Sequence, residues 1–208
     1  MKVLAIIADI IDSKDISDRR EFQKRLDTCL EEINGSARTI LSPYTITLGD
    51  EFQAVCRDGS EVADHLLYIL VKLHPVRVRF SISFDTLHTD INKDRAIGMD
   101  GPVFHAAREG MNELKKTGYS IVQVSGSPGN RSEILNTGMR LAFSVMSDWK
   151  EDTLRMFYDL YLGKKVKEIL NDYDLSQRGV YKLISRNKLR EFVQYFRSAR
   201  MEVEKLKE

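Results

Sequence analysis

Cysteine is nearly absent from the sequence, since only Cys29 and Cys56 occur among 208 residues. Two isolated cysteines provide no repeated metal-ligand spacing. Long apolar runs are also missing, because none approaches the roughly 20 residues that a membrane-spanning helix needs. The run VLAIIADII near the start is short and contains an aspartate, which is not typical of a secretory signal. We therefore expect a cytoplasmic protein in a reducing compartment, with no membrane partner.

Neither sign of charge dominates the whole chain, because 32 Lys and Arg face 31 Asp and Glu. The distribution along the chain is nevertheless uneven. Residues 149–208 carry 14 Lys and Arg against 10 Asp and Glu, whereas residues 1–148 carry 18 against 21. A basic tail is compatible with DNA as a partner and also with an ordinary solvated helical surface, so charge leaves both explanations open.

Apolar periodicity predicts alternating strands and helices without internal repeats. Val3–Ala8 is a β-branched run typical of a strand buried on both faces, and Asp9 ends it. Asp18 and Glu21 have the spacing of a capping box, which predicts a helix ending at Asn34-Gly35. The other predicted strands are Tyr44–Leu48, Phe52–Cys56, Val76–Phe84 and Tyr119–Val124, and the other predicted helices of the first 148 residues are Ser60–Leu73, Val103–Leu114 and Ser132–Met146.

The order of these elements predicts the fold class. Strand, helix, hairpin, helix, strand is the order of a ferredoxin-like (split βαβ) α+β fold, whose first strand lies at the sheet centre beside the hairpin. We expect two domains, an α/β body over residues 1–148 and a small all-helical tail over residues 149–208. Trp149 is expected to pack the tail onto the body as an aromatic anchor.

The hairpin sequence TLGDEFQAV places two adjacent carboxylates, Asp50 and Glu51, between its strands. A solvated turn is one explanation, because Gly-Asp is common in hairpins. Antiparallel pairing with the first strand would instead bring Asp9 and Asp50 to one sheet edge. Two such carboxylates repel each other unless a cation lies between them, and oxygen ligands suit Mg²⁺. The pattern predicts a Mg²⁺ or Mn²⁺ site at Asp9 and Asp50 and leaves the part of Glu51 open.

Four sequence motifs resemble those of known protein families. TLGDEFQAV resembles the second metal-binding motif of class III nucleotidyl cyclases and the signature hairpin of GGDEF diguanylate cyclases, with Leu48 where the latter have a glycine. ADIIDSKD resembles the first motif of these enzymes. Together with GMDGPVFHAAREG and a helix-turn-helix tail, the motifs cover most of the chain and resemble the SatD family.

The cyclase resemblance implies a nucleotidyl-cyclase-like domain that binds a purine nucleotide or dinucleotide with Mg²⁺ (or Mn²⁺) and forms a homodimer. It also implies roles for particular residues in binding the metal and the phosphates. The matching positions are Asp9, Ile10 (through its carbonyl) and Asp50 for the metal, Ser13 and Lys14 for the phosphates, and Arg108 for phosphate binding and catalysis.

Several positions depart from the cyclase pattern. Phe104 stands where an asparagine is expected, and Ile46 stands where adenylyl cyclases place a base-reading lysine. Ser83 and Asp85 replace glycines. We therefore expect weak or absent cyclisation with metal and phosphate binding retained. Two functions stay open, a nucleotide-binding regulator and an active nucleotidyl-transfer enzyme, and Phe104 favours the first.

The tail sequence predicts two short helices joined by a turn at Asp174-Leu175, with Ser176 as the cap of the second. Apolar residues supply the buried side of each helix, as in a helix-turn-helix. The predicted outward residues of the second helix, which would contact DNA, are Gln177, Arg178, Tyr181, Lys182 and Arg186. A packing or dimerisation role without DNA is the alternative.

Overall fold

A five-stranded mixed sheet forms the centre of the molecule in the computed structural model, which describes residues 1–117, 122–125 and 131–205, with the backbone alone at 131 and 132. The strands are β1 (Lys2–Ile10), β2 (Ile40–Leu48), β3 (Glu51–Cys56), β4 (Val78–Thr86) and β5 (Val122–Ser125). The helices are α1 (Arg19–Ser36), α2 (Val62–Leu73), α3 (Pro102–Thr117), α4 (Arg131–Met146), α5 (Glu151–Tyr161), α6 (Val166–Ile169), α7 (Gln177–Arg186) and α8 (Leu189–Glu204).

The strand order across the sheet is β2-β3-β1-β4-β5, with β1 antiparallel to both neighbours and β5 parallel to β4. The structure therefore confirms an α+β protein whose first strand is central and pairs antiparallel with the hairpin. Strand β2 begins four residues before the predicted start and contains Pro43. An edge strand tolerates proline because one of its sides lacks a ladder partner. Residues 119–121 of the last predicted strand lie outside the described residues.

Helix α1 begins where the cap predicts, because the Asp18 carboxylate accepts a hydrogen bond from the backbone N–H of Glu21 at 2.9 Å. The helix continues to Ser36, one residue beyond its predicted end at Asn34-Gly35. Asn34, near this end, makes a tertiary contact. The Asn34 amide bonds both backbone groups of Tyr44 in β2, at 3.0 and 2.8 Å. Asn34 therefore joins the last turn of α1 to the sheet.

The side chains of β1 alternate between the two faces of the sheet. One set, which includes Leu4 and Ile6, packs with α1, α2, α4 and the tail in the larger apolar core. Trp149 belongs to that core, with its ring 5.5 Å from Phe157 and 4.8 Å from Phe192 between centroids. Both of these ring neighbours belong to the tail, so the predicted anchoring of the tail to the body by Trp149 stays a prediction. The domain boundary at residue 148 stays a prediction, and apolar side chains from both of its sides share this core.

Helix α3 covers the opposite face of the sheet. Val3, Ala5 and Ile7 of β1 pack there against α3. The approach is close because α3 carries Gly110, where a Cβ atom would lie 2.5 Å from the Ser81 hydroxyl oxygen of β4. This close packing brings the polar side chains of α3 near the ends of the strands. None of the described helices is long and apolar enough to span a bilayer.

Candidate phosphate-binding site

Three charged side chains meet at the sheet edge where β1 ends and β3 and β4 begin. The antiparallel register places Asp9 opposite Glu51 of β3 on one side and opposite Arg79 of β4 on the other. Directly paired residues project from the same face of a sheet. All three therefore project from the face that α3 covers, where the helix adds Arg108 and Lys115.

The five side chains form a continuous chain of ion pairs, the edge cluster. Asp9 accepts hydrogen bonds from Arg79 Nη1 at 3.1 Å and is paired with Lys115 Nζ at 2.9 Å. Lys115 Nζ also donates to Glu51 Oε1 at 3.0 Å, and Arg108 Nη1 donates to Glu51 Oε2 at 2.7 Å. A lysine ammonium thus lies between Asp9 and Glu51, whereas the sequence predicts a metal ion between Asp9 and Asp50.

The ion pairs also set the protonation of the cluster. Burial disfavours ionisation of Glu51, but hydrogen bonds from Arg108 and Lys115 outweigh it and lower the pKa of the carboxyl. Burial likewise disfavours the charged form of Lys115, yet its bonds to Asp9 and Glu51 leave its pKa raised. Both groups are therefore ionised at neutral pH, as the ion pairs require.

Positive charge exceeds negative charge in the edge cluster, because three cations face two carboxylates. The carboxylate side chains are the buried members, at 7% exposure for Asp9 and 12% for Glu51. Arg108 and Lys115 remain 44% and 40% exposed. The exposed members of the edge cluster are therefore the cations Arg108 and Lys115, which an anion can reach from solvent. Arginine and lysine at such a position bind phosphate oxygens well.

Asp50 lies beside the cluster but outside its chain of ion pairs. Its Oδ2 accepts a hydrogen bond from Ser13 Oγ at 2.6 Å, and its backbone carbonyl accepts one from the Ile10 N–H at 3.0 Å. Strand β3 starts at Glu51, one residue before the predicted start. Glu51 rather than Asp50 consequently occupies the ladder position opposite Asp9.

The loop after β1 is held close to the hairpin turn. Asp12 adopts a left-handed conformation with φ of 53°, and the single turn Ser13–Asp15 follows it. Ser13 is buried and bonds Asp50, whereas Lys14 is exposed. Arg77 ties the same loop to the start of β4 through a 3.3 Å contact with Asp12. The predicted phosphate-loop residues thus adjoin the predicted metal residues at one edge of the sheet.

Arg79 and Lys115 are the two members that sequence reasoning missed. Lys115 lies seven residues after Arg108, and this spacing of two helical turns puts both on one face of α3. Helical spacing was therefore a usable signal for Lys115. Arg79 precedes Ser81 and Ser83 on the same face of β4, but its partner could be identified only from the strand register.

The residues predicted to bind a metal ion offer oxygen atoms as ligands for a divalent cation. Within residues 1–117, 122–125 and 131–205, no group of three or more His, Cys, Asp or Glu side chains is placed to hold a metal ion. Two carboxylates and a backbone carbonyl remain as hard oxygen donors at Asp9, Asp50 and Ile10. These donors are the type that Mg²⁺ prefers, with water completing its coordination.

The five predicted DNA-contacting residues all lie on α7. The Ser176 hydroxyl accepts a hydrogen bond from the Gly179 N–H at 3.1 Å, which confirms the predicted cap. Val180 and Ile184 are buried beneath the helix. All five predicted residues have exposed side chains, namely Gln177, Arg178, Tyr181, Lys182 and Arg186. The preceding helix, α6, is only one turn long.

Comparison with known proteins provides a single assignment. No curated protein sequence matches the chain significantly. The sequence pattern that defines the SatD family matches residues 3–201, a span that includes the edge cluster, the loop after β1 and the tail. Because this match covers nearly the whole chain, the protein belongs to the SatD family.

Proposed function

We propose that this protein is a cytoplasmic regulator whose body binds a purine nucleotide or dinucleotide with Mg²⁺ (or Mn²⁺), and whose tail contacts DNA. The observation that carries the nucleotide part is the pair of exposed cations, Arg108 and Lys115, beside the Ser13–Asp50 contact. Phosphates supply the matching negative charge. An active nucleotidyl-transfer enzyme is the second candidate.

The topology supports the choice of ligand. The order β2-β3-β1-β4, with α1 and α2 on one face, is the order of a ferredoxin-like split βαβ unit. That arrangement agrees with the resemblance to nucleotidyl cyclases. In this proposal the phosphates bind at the strand ends, where Ser13 and Lys14 meet them from the loop and Arg108 meets them from α3.

Mg²⁺ fits the donors at the same edge. Asp9, Asp50 and the Ile10 carbonyl would hold the ion, which would supply positive charge against the phosphates when bound. Lys115 now neutralises Asp9. Its side chain is 40% exposed and flexible, so it can leave Asp9 and turn toward a phosphate. The metal-binding role of these residues thus requires Lys115 to move, while Asp9 keeps its second partner, Arg79.

Phe104 favours the regulator over the enzyme. Its side chain is only 9% exposed and belongs to the apolar cluster under α3. A phenylalanine packed in this way offers no hydrogen bond to a developing charge. Loss of one such donor typically lowers an enzymatic rate by about a hundredfold to a thousandfold. The enzyme candidate would instead require turnover of a nucleoside triphosphate at an ordinary rate, on the order of 1 per second.

Thermal melting with and without Mg²⁺ or Mn²⁺ and ATP tests the nucleotide site. We expect the ions to raise the melting temperature of the wild-type protein, and Asp50→Asn to lose this increase because it removes one ligand charge. Asp50 suits the test because its side chain lies outside the ion pairs of the edge cluster.

Asp15→Asn is the matched control, since Asp15 is an exposed aspartate in the same loop. It should retain the full metal response. An unchanged response in Asp50→Asn would show that Asp50 holds no metal. Chromatography of the same incubations with each nucleoside triphosphate separates the two candidate functions, because a cyclic or dinucleotide product formed at an ordinary rate would establish the enzyme.

A homodimer belongs to the proposal as well. Ile134, Leu141 and Val145 recur at helical spacing on α4 and are exposed by 73, 69 and 43%. Apolar residues at such spacing on one helix surface are typical of an interface between chains. This surface supports the dimer that the cyclase resemblance implies.

DNA binding by the tail is expected to depend on salt through α7. Lys and Arg that neutralise DNA phosphates release counterions, so the logarithm of affinity falls with the logarithm of salt concentration. Replacing Arg178, Lys182 and Arg186 with alanine should reduce this slope by about one unit for each phosphate contact removed. Fluorescence anisotropy with a labelled DNA duplex at several salt concentrations gives the affinities from which this slope is obtained.

Arg155→Ala is the control for the tail experiment, because Arg155 is an exposed arginine on α5 and not on α7. It should leave the slope unchanged. Circular dichroism should show intact helices in all variants, since the replaced side chains are exposed. If wild-type protein does not bind duplex at low salt, or if the triple variant keeps the full slope, the tail has a packing or dimerisation role.

A further inference from the structure

A groove with a volume of about 420 Å³ lies in the tail, between the start of α5 and one face of α7. Trp149 and Leu183 supply the apolar part of its wall. The other side chains of the lining are polar or charged, namely those of Asp148, Lys150, Thr153, Lys182, Arg186 and Asn187. Concave sites of roughly 300–1,000 Å³ with convergent polar groups are typical of ligand binding. The lining of this groove suits a polar or charged ligand.

The charged side chains of the groove are mainly cations. Lys150 is the residue before α5, and Lys182 and Arg186 lie one turn apart on α7. All three are exposed, and none forms an ion pair within the described part of the chain. Among the described residues that line the groove, only Asp148 is acidic. The three cations are therefore available to an anion.

The first turn of α5 offers further donors to an anion. The backbone N–H groups of Glu151 and Asp152 bond no described residue, and no side chain caps this helix. Unpaired N–H groups and the helix dipole favour negative charge at such an end. The side chains of Glu151 and Asp152 are exposed and do not line the groove. Backbone donors and the three cations thus lie around the same groove.

Thr153 adds a hydroxyl group from a residue that is only 7% exposed. Its Oγ1 atom has no hydrogen-bond partner in the part of the chain that the structure describes, yet it is not fully enclosed by protein. Because Thr153 lines the groove, its remaining accessible surface faces the groove. This hydroxyl can donate to an anion, since no protein acceptor competes for its proton.

We propose that this groove binds a phosphate group of the DNA backbone. The Thr153 hydroxyl and the first N–H groups of α5 donate to the phosphate oxygens, and the three cations neutralise its charge. The inference rests on the proposed DNA contact of the tail, because Lys182 and Arg186 belong to both surfaces. Phosphate contacts position a protein on DNA without reading its sequence. The groove therefore holds α7 in a defined orientation on the duplex.

Replacing Thr153 with valine tests the hydroxyl, because valine keeps the shape of the buried side chain. Affinity for a labelled DNA duplex should fall by about fivefold to tenfold, the loss of one hydrogen bond. The slope of affinity against salt should not change, since a hydroxyl releases no counterion. Thr153→Ser keeps the hydroxyl and should retain most of the affinity. A packing role would give the opposite order, because serine loses a buried methyl group and valine does not.

Replacing Lys150 with alanine tests the positive charge that the groove has outside α7. The salt slope should fall by about one unit, the loss of one neutralised phosphate. Arg155→Ala is the matched control, because Arg155 is an exposed arginine of α5 that does not line the groove. It should leave both the slope and the affinity unchanged. Fluorescence anisotropy at several salt concentrations measures all of these variants.

The same measurements separate the groove from the proposed DNA contact of α7. Suppose that the triple alanine variant of α7 loses slope while Lys150→Ala and Thr153→Val behave like Arg155→Ala. The groove inference is then overturned and DNA binding by α7 is retained. If the wild-type protein does not bind duplex at low salt, the DNA contact and the groove inference are overturned together.

A second arm distinguishes the DNA backbone from free phosphate as the ligand. Thermal melting compares inorganic phosphate with chloride at constant ionic strength, in wild-type protein and in Thr153→Val. If phosphate stabilises only the wild type while the two proteins bind duplex equally well, the groove binds the free ion and the inference is overturned. A loss of duplex affinity in Thr153→Val that Thr153→Ser restores supports the DNA backbone as the ligand.

Discussion

Replacing Asp9 with asparagine is expected to lower the free energy of unfolding by about 2–4 kcal/mol, measured by urea denaturation without divalent cations. The Asp9 side chain is 7% exposed and is paired with both Arg79 and Lys115. The substitution leaves two cations without their shared carboxylate, and Arg79 is itself only 16% exposed. The range lies below the usual cost of breaking a fully buried pair because solvent screens Lys115.

Asp27→Asn is the control for this measurement, since Asp27 is an exposed aspartate on α1. It should change stability by no more than about 0.5 kcal/mol. The double variant Asp9→Asn/Lys115→Gln should lose less than the sum of the single changes, because removing Lys115 also removes an uncompensated charge. If Asp9→Asn were as stable as Asp27→Asn, the edge cluster would contribute nothing to the fold.

Replacing Arg108 with alanine is expected to weaken the binding of both Mg²⁺-ATP and Mg²⁺-tripolyphosphate by roughly tenfold to a hundredfold. A charge-assisted hydrogen bond contributes about 1.5–3 kcal/mol, and Arg108 is the more exposed of the two α3 cations in the edge cluster. The effect should be the same for the two probes, because Arg108 meets phosphate and not the base. Calorimetry at constant salt gives both affinities.

Two further variants define the role of Arg108. Lys116→Ala removes an exposed cation of the same helix and should leave both affinities unchanged. Arg108→Lys keeps the charge but loses the planar fork, so it should lie between wild type and Arg108→Ala. Urea denaturation must accompany the calorimetry, because Arg108 also bonds Glu51. Unchanged affinities in a folded Arg108→Ala protein would limit Arg108 to its ion pair with Glu51.

The predictions that depended on nearby residues agree with the structure. The Asp18 and Ser176 caps accept the expected backbone hydrogen bonds, and the five outward residues of α7 are exposed. Capping and apolar spacing act within one or two helical turns, so the sequence contains the required information. The end of α1 lies within one residue of the predicted Asn34-Gly35, but the sequence does not show which partner Asn34 has. Its amide bonds the backbone of Tyr44, a residue of another element, and such a contact depends on the tertiary structure.

The sequence by itself determined the order of strands and helices, the carboxylates at the end of β1 and in the hairpin turn, and the basic face of α7. Only the tertiary structure decided which charges meet. The β1–β3 register set Glu51 rather than Asp50 opposite Asp9, and the close approach of α3 at Gly110 placed Lys115 between them. Register and helix packing depend on how distant apolar surfaces fit together in the core, and a local pattern of residues does not encode that fit.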